Sequence, residues 1–161
     1  MAANWKPINW EVLVRGDQCP VCDLIRIPDH EDAHLLAVAD LSFSRLCLAK
    51  NQFVPGYCVL LCRMHVIEPY DLIADARTQF FDDLAMVGKV LQTAFNADKM
   101  NYNILGNVVP HLHVHLIPRY FTDNAPHRPI DPTPTGHEVF LSDTAYAERM
   151  LLIQQHLGAG L

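Results

Sequence analysis

One ten-residue segment, residues 110–119, constrains the fold and the chemistry of this chain more than any other. It reads PHLHVHLIPR, so three histidines alternate with apolar residues. Successive side chains of an extended strand point to opposite faces, which places His111, His113 and His115 on one face. The apolar residues between them can then pack on a core. The prolines that flank the run lack a backbone N–H, and we expect them to mark the ends of regular strand pairing.

A face of three imidazoles makes a poor core and a good reactive surface. A single histidine on a strand is most often a surface or hydrogen-bonded residue, whereas strict alternation of three favours a functional site. Two chemistries fit this pattern. Imidazole is the commonest metal ligand, and neutral imidazole is also a nucleophile. A solvent-facing row with no function is the third interpretation.

The composition indicates one domain with a sizeable core, because half of the 161 residues are hydrophobic. The net charge of −6 argues against a nucleic acid polymer as partner, since such partners are held by basic surfaces. No run approaches the roughly 20 apolar residues that cross a bilayer, so we expect no membrane partner. The first residues lack the apolar core of a signal peptide, and a cytoplasmic location is expected.

The five cysteines divide into two groups. Cys19 and Cys22 form a Cys-x-x-Cys pair in a turn that enters a short helix, so both sulfurs can face one point. A thioredoxin-like redox motif would need a preceding strand, and residues 12–16 are a weak strand at best. Half of a zinc site is therefore the better interpretation. The other three lie in apolar runs and are interpreted as small core residues: Cys47, Cys58 and Cys62.

The rest of the chain predicts an α+β domain with a mainly antiparallel sheet. Residues 75–99 give the clearest helix, and residues 143–156 give a last helix that Ser142 can cap. The strand-like segments outside the histidine run are 35–39, 43–49, 57–62 and the strand and turn at 101–109. The predicted apolar stripe of the long helix contains Phe81, Leu84, Ala85, Gly88, Leu91 and Phe95.

The histidine segment resembles the signature of the histidine triad (HIT) family, His-φ-His-φ-His-φ-φ with φ apolar. Residues 101–109 resemble bacterial members described as diadenosine tetraphosphate hydrolase-like. The run Val54-Pro55-Gly56-Tyr57 followed by His65 resembles the centre of the family's sheet, and Cys19-x-x-Cys22 resembles its zinc-bearing branch. The similarity covers about residues 17–120. The chain is therefore interpreted as one HIT-like domain (1–161), with an N-terminal arm (1–16) and a C-terminal extension (121–161).

The resemblance implies a fold of five antiparallel strands and a long helix, usually paired into a homodimer with a continuous ten-stranded sheet. It implies hydrolysis or transfer at the α-phosphate of a nucleotide conjugate. The nucleotide is typically adenosine, as in a dinucleoside polyphosphate or an adenylyl conjugate. The expected partner is therefore a small nucleotide.

The resemblance also implies roles for individual residues. His113 matches the nucleophile that forms a covalent nucleotidyl-imidazole intermediate, and His115 matches the residue that touches the phosphate. In zinc-bearing relatives the metal is held by the residues that correspond to Cys19, Cys22, His65 and His111. Such a Cys₂His₂ set is closed, which favours a structural zinc ion with no open position for water.

Other polar residues are weaker candidates for contacts with substrate. Asn107, with backbone N–H groups near Gly106, is expected to help His115 to stabilise charge on the phosphate oxygens. Asn51 is the nearest candidate for the ribose hydroxyls. The remaining substrate-binding candidates are Asn101, for a substrate amide, and Arg119, which can equally be a surface cation.

One position departs from the family pattern. Many relatives that cleave phosphoramidates carry a serine three residues before the first triad histidine, and this chain has Val108 there, which cannot donate a proton. A phosphate chain is therefore favoured as leaving group over an amine. Two alternatives to the nucleophile hypothesis stay open: a hydrolase whose triad holds a catalytic metal, and a catalytically weak nucleotide-binding module. The five other histidines are interpreted as surface or loop residues: His30, His34, His127, His137 and His156.

Overall fold

The computed structural model describes residues 7–27, 32–123, 126–130 and 137–159. It has the predicted α+β architecture, with one five-stranded antiparallel sheet and helices. The strands are β1 (Leu35–Asp40), β2 (Ser44–Ala49), β3 (Cys58–Cys62), β4 (Lys99–Ile104) and β5 (His113–Arg119). The helices are α1 (Trp10–Val14), α2 (Pro20–Arg26), α3 (Ala74–Ala94) and α4 (Asp143–Ala159), with a short 3-10 turn at Pro69–Asp71.

The strand order is β1-β2-β3-β5-β4, with every neighbouring pair antiparallel. β3 is buried along its whole length, as its apolar run predicted. Cys58, Leu60 and Cys62 pack in the core beneath α3 and α4. Val59 and Leu61 pack in a second cluster on the opposite face, together with α2. The sheet therefore separates a helix-covered core from a face that is available for a site.

β5 lies between β3 and β4; its Val114 and Leu116 belong to the helix-covered core, and its Ile117 packs in the second cluster. The prediction that prolines end its pairing is wrong at one end, because Pro118 lies inside the strand and pairs with Met100 of β4. β3 pairs with β5 only as far as Leu116. Beyond Leu116 the edge of β5 that faces β3 has no paired residue. The missing backbone N–H of Pro118 therefore leaves no hydrogen bond of the sheet unmade, and a proline is tolerated there. At the other end the strand begins at His113, and His111 precedes it.

The long helix α3 ends earlier than predicted, and its buried face includes Leu84, Gly88 and Leu91 of the predicted apolar stripe but neither Phe81 nor Ala85. It ends at Ala94, and Asn96 follows with a left-handed φ of 49°, so Lys99 belongs to β4. Phe80 is fully buried, whereas Phe81 of the predicted stripe is 36% exposed. The buried face is centred on Phe80, Leu84, Val87 and Leu91.

The C-terminal helix α4 agrees with the sequence prediction. The hydroxyl of Ser142 accepts the N–H of Ala145 at 3.3 Å, which caps the first turn. Tyr146 and Ile153 are buried on the side that faces the core. The structure therefore confirms both the cap and the apolar side of this helix.

The N-terminal region refines one prediction and leaves others untested. Residues 10–14 form helix α1, so the arm predicted over 1–16 contains a short helix, and the strand that a redox motif would need is not formed by these residues. α2 follows with Pro20 in its first turn, as expected for a turn that enters a short helix. Residues 1–6 and 131–136, which include Trp5 and much of the Pro-rich stretch, lie outside the described residues. None of the helices in the described ranges is long and apolar enough to cross a membrane.

Candidate functional site

A cavity of about 570 Å³ opens on the sheet face opposite α3. Val59 and Leu61 of β3 and His113 and His115 of β5 contribute to its wall. The volume lies in the range of small-ligand sites. The other residues that line it are Pro20, Val21, Leu24, Asp32, His34, Leu35, Ala49, Lys50, Asn51, Tyr57, Val109, Glu138 and Phe140.

His113 is held in one tautomer by the backbone. Its Nδ1 lies 2.6 Å from the carbonyl oxygen of His111. A carbonyl only accepts hydrogen bonds, so Nδ1 carries the proton and Nε2 keeps its lone pair. Burial lowers the pKa of His113 below its usual value, opposed by this hydrogen bond. The imidazole is therefore neutral near pH 7, with the electronic form of a nucleophile.

His115 is oriented by Tyr57. The Tyr57 hydroxyl lies 2.6 Å from Nδ1 of His115, and the rings stack at 6.0 Å. A phenol hydroxyl can donate or accept, so this hydrogen bond fixes the orientation of the ring. Burial, and then the neighbouring charge of His113, lower the pKa of His115 to about 4. The rings of His113 and His115 are 5.0 Å apart. His113 thus keeps a free lone pair beside a neutral imidazole that a tyrosine orients.

Cys19, Cys22, His65 and His111 form a cluster whose ligand atoms all lie within 4.8 Å of one another. Cys22 Sγ is 3.3 Å from Nδ1 of His65 and 3.6 Å from Nδ1 of His111. Cys19 Sγ is 3.5 Å from the same His111 nitrogen. The Cys-x-x-Cys turn at the start of α2 therefore meets one histidine that follows β3 and one that precedes β5.

The protonation of the two cluster histidines favours a bound cation. Nε2 of His65 lies 3.1 Å from the carbonyl of Val14, and Nε2 of His111 lies 2.7 Å from that of Cys62. Both Nε2 atoms must donate, so both Nδ1 atoms are bare, yet they are only 3.1 Å apart. Two lone pairs that face each other need a positive charge between them. Nitrogens bound to one tetrahedral zinc ion lie about 3.3 Å apart, so the donor set fits that ion.

His111 connects the cluster to the cavity. Its ring belongs to the metal-ligand cluster, and its carbonyl fixes the tautomer of His113. The alternative in which the triad holds one catalytic metal requires His113 and His115 as ligands. Among the described residues the metal-ligand group contains His111 and neither of the other two. The structure thus divides the triad between the cluster and the cavity.

The remaining sequence candidates divide between the cavity and other positions. Asn51 lines the cavity. Asn107 is exposed and is not among the lining residues. Arg119 is 5% exposed and donates to Asn101 at 2.7 Å. It also pairs with Asp123 at 2.7 Å. Arg119 and Asn101 thus bind each other and Asn107 is exposed, and the assignment of these three residues to substrate stays a prediction.

Several lining residues were missed by the sequence analysis. Tyr57 could have been found, because it shares the period-two face of Val59 and Leu61. His34 was interpreted as a surface residue, and it is exposed but also lines the cavity. The others gave no local signal, since they come from separate segments of the chain: Asp32, Lys50, Glu138 and Phe140.

Comparison with known families matches the HIT domain to residues 29–122 of this chain. That segment is more than half of the sequence and contains all three triad histidines. The chain belongs to the HIT family.

Histidine triad proteins of known structure have the same fold. One from Bradyrhizobium japonicum has a TM-score of 0.70 and 26% identity over 77% of this chain and 91% of its own. A Zn-bound member from Mycobacterium smegmatis has a TM-score of 0.63 and 18% identity over 88% and 94%.

Sequence relatives of this HIT chain include proteins with named activities. Protein hit of Bacillus subtilis is 26% identical over 65% of this chain and 73% of its own length. The bis(5'-adenosyl)-triphosphatase of Saccharomyces cerevisiae is 32% identical over 44% of this chain. The asymmetrical bis(5'-nucleosyl)-tetraphosphatase of Schizosaccharomyces pombe is 32% identical over the same share. The chain spans 37% and 41% of these two yeast proteins.

We predict that His115 titrates near pH 4 rather than near 6.5. In the unfolded chain this histidine has a pKa of about 6.5, so between about pH 6.5 and pH 4 it is protonated in the unfolded state and neutral in the folded state. The stability contributed by neutral His115 is therefore complete above about pH 6.5 and is lost as the pH falls towards 4. NMR titration of the His115 ring measures the pKa directly, with exposed His127 as internal control. A midpoint of His115 equal to that of His127 would contradict the burial argument.

Proposed function

We propose that this protein is a nucleotidyl hydrolase or transferase that acts at the α-phosphate of a nucleotide conjugate through His113. One observation carries the proposal: His113 presents a bare Nε2 beside the ring of His115, on the wall of a ligand-sized cavity. A lone pair that attacks phosphorus and a donor that stabilises its oxygens are the two groups that nucleotidyl transfer needs.

The proposed reaction has two displacements. Nε2 of His113 forms a bond to the α-phosphorus while the bond to the leaving-group oxygen breaks, giving a nucleotidyl-histidine. Water then attacks phosphorus, the P–N bond breaks, and the nucleoside monophosphate leaves with His113 restored. The hydrogen bond to the His111 carbonyl stabilises the positive charge that develops on the attacked imidazole. His115 donates to a phosphate oxygen in both steps.

The leaving group is proposed to be a phosphate chain. Val108 is 73% exposed and cannot donate a proton to a departing amine, whereas a polyphosphate is a good leaving group without one. The named activities of the yeast relatives are on dinucleoside polyphosphates, which supports the same substrate class. We therefore propose diadenosine tri- or tetraphosphate as substrates for testing.

The decisive variant is His113→Ala. We expect the release of adenosine monophosphate from diadenosine tetraphosphate to fall by at least about 10³-fold, because the nucleophile is lost. Wild-type protein quenched during turnover should carry an acid-labile adenylyl group, and the variant should carry none. The readouts are product chromatography and intact mass.

His127→Ala is the matched control, since this exposed histidine does not line the cavity. It should keep full activity. Turnover by His113→Ala at the wild-type rate would refute the proposed nucleophile. Nucleotide binding without any turnover by the wild type would instead support the alternative, a binding module.

We also propose that Cys19, Cys22, His65 and His111 hold a structural zinc ion. When bound, the ion supplies a fixed tetrahedral centre with no open position, and so no chemistry at the substrate. The residues themselves do the positioning. Their cluster fixes the ring of His111, whose carbonyl in turn aims His113.

Elemental analysis tests the zinc site. We expect one zinc ion per chain in the wild type and in His113→Ala, and none in Cys19→Ser, because a structural site loses its metal when a thiolate is removed. Cys47→Ala is the control, since this buried cysteine lies outside the cluster. Thermal unfolding should show a lower midpoint for Cys19→Ser. Undiminished zinc in Cys19→Ser, or metal-free wild type purified with zinc present, would overturn the assignment.

A homodimer through the edge of β4 is proposed as the assembly. β4 is an edge strand and carries exposed Tyr102 and Ile104, which are 44% and 39% exposed. Such an edge is a template for pairing with a second copy.

Light scattering should give the mass of two chains for the wild type and of one for Ile104→Lys. Leu151→Lys, at an exposed position of α4, should stay dimeric. A monomeric wild type would contradict the proposed dimer.

The cytoplasmic location stays a prediction.

A further inference from the structure

The C-terminal strap, residues 137–141, forms part of the cavity wall although it lies outside the segment that matches the HIT domain. The N–H of Val139 donates to the side-chain oxygen of Asn51 at 2.9 Å. The carbonyl of Val139 accepts the N–H of Gln52 at 2.7 Å. Glu138 and Phe140, on either side of Val139, both line the cavity. The strap is therefore bonded to the same loop that brings Asn51 to the site.

Helix α4 holds the strap and this loop together. The Tyr146 hydroxyl accepts the N–H of Leu141 at 3.1 Å and donates to the carbonyl of Lys50 at 2.6 Å. Arg149 donates to Gln52 at 2.6 Å. These bonds connect the end of the strap, the start of α4 and the loop at 50–52. The positions of Glu138 and Phe140 beside the cavity are thus set by several hydrogen bonds of neighbouring backbone and side chains.

The bond from Val139 changes what Asn51 can offer to a ribose. The two hydroxyls of a ribose can donate hydrogen bonds, and the side-chain oxygen of Asn51 already accepts one from the backbone, which leaves it one further lone pair. Its amide group is a donor. A carboxylate has two acceptor oxygens and can accept from both hydroxyls of a diol. Glu138 is a carboxylate that lines the cavity one residue from Val139.

We propose that the strap recognises the nucleoside: Glu138 accepts the ribose hydroxyls, and the ring of Phe140 packs on the face of the base. The proposal rests on the function proposed above. A carboxylate repels phosphate, so Glu138 must face the uncharged part of the ligand, while His113 and His115 face the phosphate. Phe140 is 67% exposed beside the cavity, which leaves its ring face free for a flat partner. The strap thus makes the site selective for ribonucleotides.

Calorimetry of the wild type with three ligands tests the proposal without need of turnover. The ligands are adenosine monophosphate, its 2′-deoxy form and ribose 5-phosphate. We expect Glu138→Gln to weaken adenosine monophosphate about tenfold and the deoxy form by less, because the deoxy form keeps only the 3′-hydroxyl and hydrogen bonds to a charged group are the strong ones. The ribose-to-deoxyribose preference should therefore fall towards one.

The Phe140 variants test the base contact. Phe140→Ala should weaken both adenine nucleotides equally, by about tenfold, because stacking on a base is lost. It should leave ribose 5-phosphate unchanged. Phe140→Leu, which keeps bulk without an aromatic face, should recover only part of the loss. Glu148→Gln and Phe121→Ala are matched controls at exposed positions away from the cavity, and both should bind as the wild type does.

The outcomes separate this proposal from the reaction. If Glu138→Gln keeps the wild-type preference for ribose, or if Phe140→Ala binds adenosine monophosphate as the wild type does, the strap proposal is overturned even where hydrolysis is observed. If the strap variants weaken binding as expected but the wild type hydrolyses none of the substrates, the strap proposal is supported and the proposed reaction is rejected. A wild type that binds no adenosine monophosphate overturns the strap proposal. Unchanged thermal-unfolding midpoints of Glu138→Gln and Phe140→Ala confirm that both variants keep the wild-type fold.

Discussion

The hydrogen bond from Nδ1 of His113 to the carbonyl of His111 is the constraint on which the site depends. It spans two residues of one chain segment, so its geometry is set by the conformation of that segment alone. The conformation is in turn fixed from outside, because the ring of His111 lies in the cluster with Cys19 and Cys22. A second carbonyl, that of Cys62, orients this ring from β3. Removal of the cluster would therefore disturb the aim of His113 and also the part of the cavity wall that α2 provides.

The second constraint on the site is burial, because it keeps the imidazoles of His113 and His115 neutral. The pKa of His113 is lowered and that of His115 falls to about 4, in both cases chiefly by burial. A protonated His113 would have no lone pair to offer. The same burial would be costly for a polar group without partners, and the Tyr57 hydroxyl and the His111 carbonyl supply those partners. Both rings are thus neutral and oriented, and the tautomer of His113 is fixed, before any ligand arrives.

Sequence reasoning found what local period and spacing encode. Alternation placed His113 and His115 on one face, and the Cys-x-x-Cys turn gave two of the cluster's ligands. Three features were beyond it. One end of the helix stripe was wrong, because Phe80 and Phe81 are equally apolar and only packing against the sheet decides that Phe80 is the buried one. Arg119 was a candidate for substrate because its partner Asn101 lies on another strand. Glu138 belongs to the cavity through bonds to Asn51 and Gln52, far away in sequence.

That last failure indicates how the site divides its tasks. The groups proposed to face the reacting phosphorus come from β5, inside the sheet, where the neighbouring strands fix each backbone position. The residues proposed to face the nucleoside come from the strap, which is joined to the loop at 50–52 by a few side-chain and backbone bonds. Substitution of Glu138 or Phe140 disturbs no strand pairing, because both side chains are exposed. The proposed contacts to the nucleoside can therefore change while the geometry of His113 and His115 is preserved.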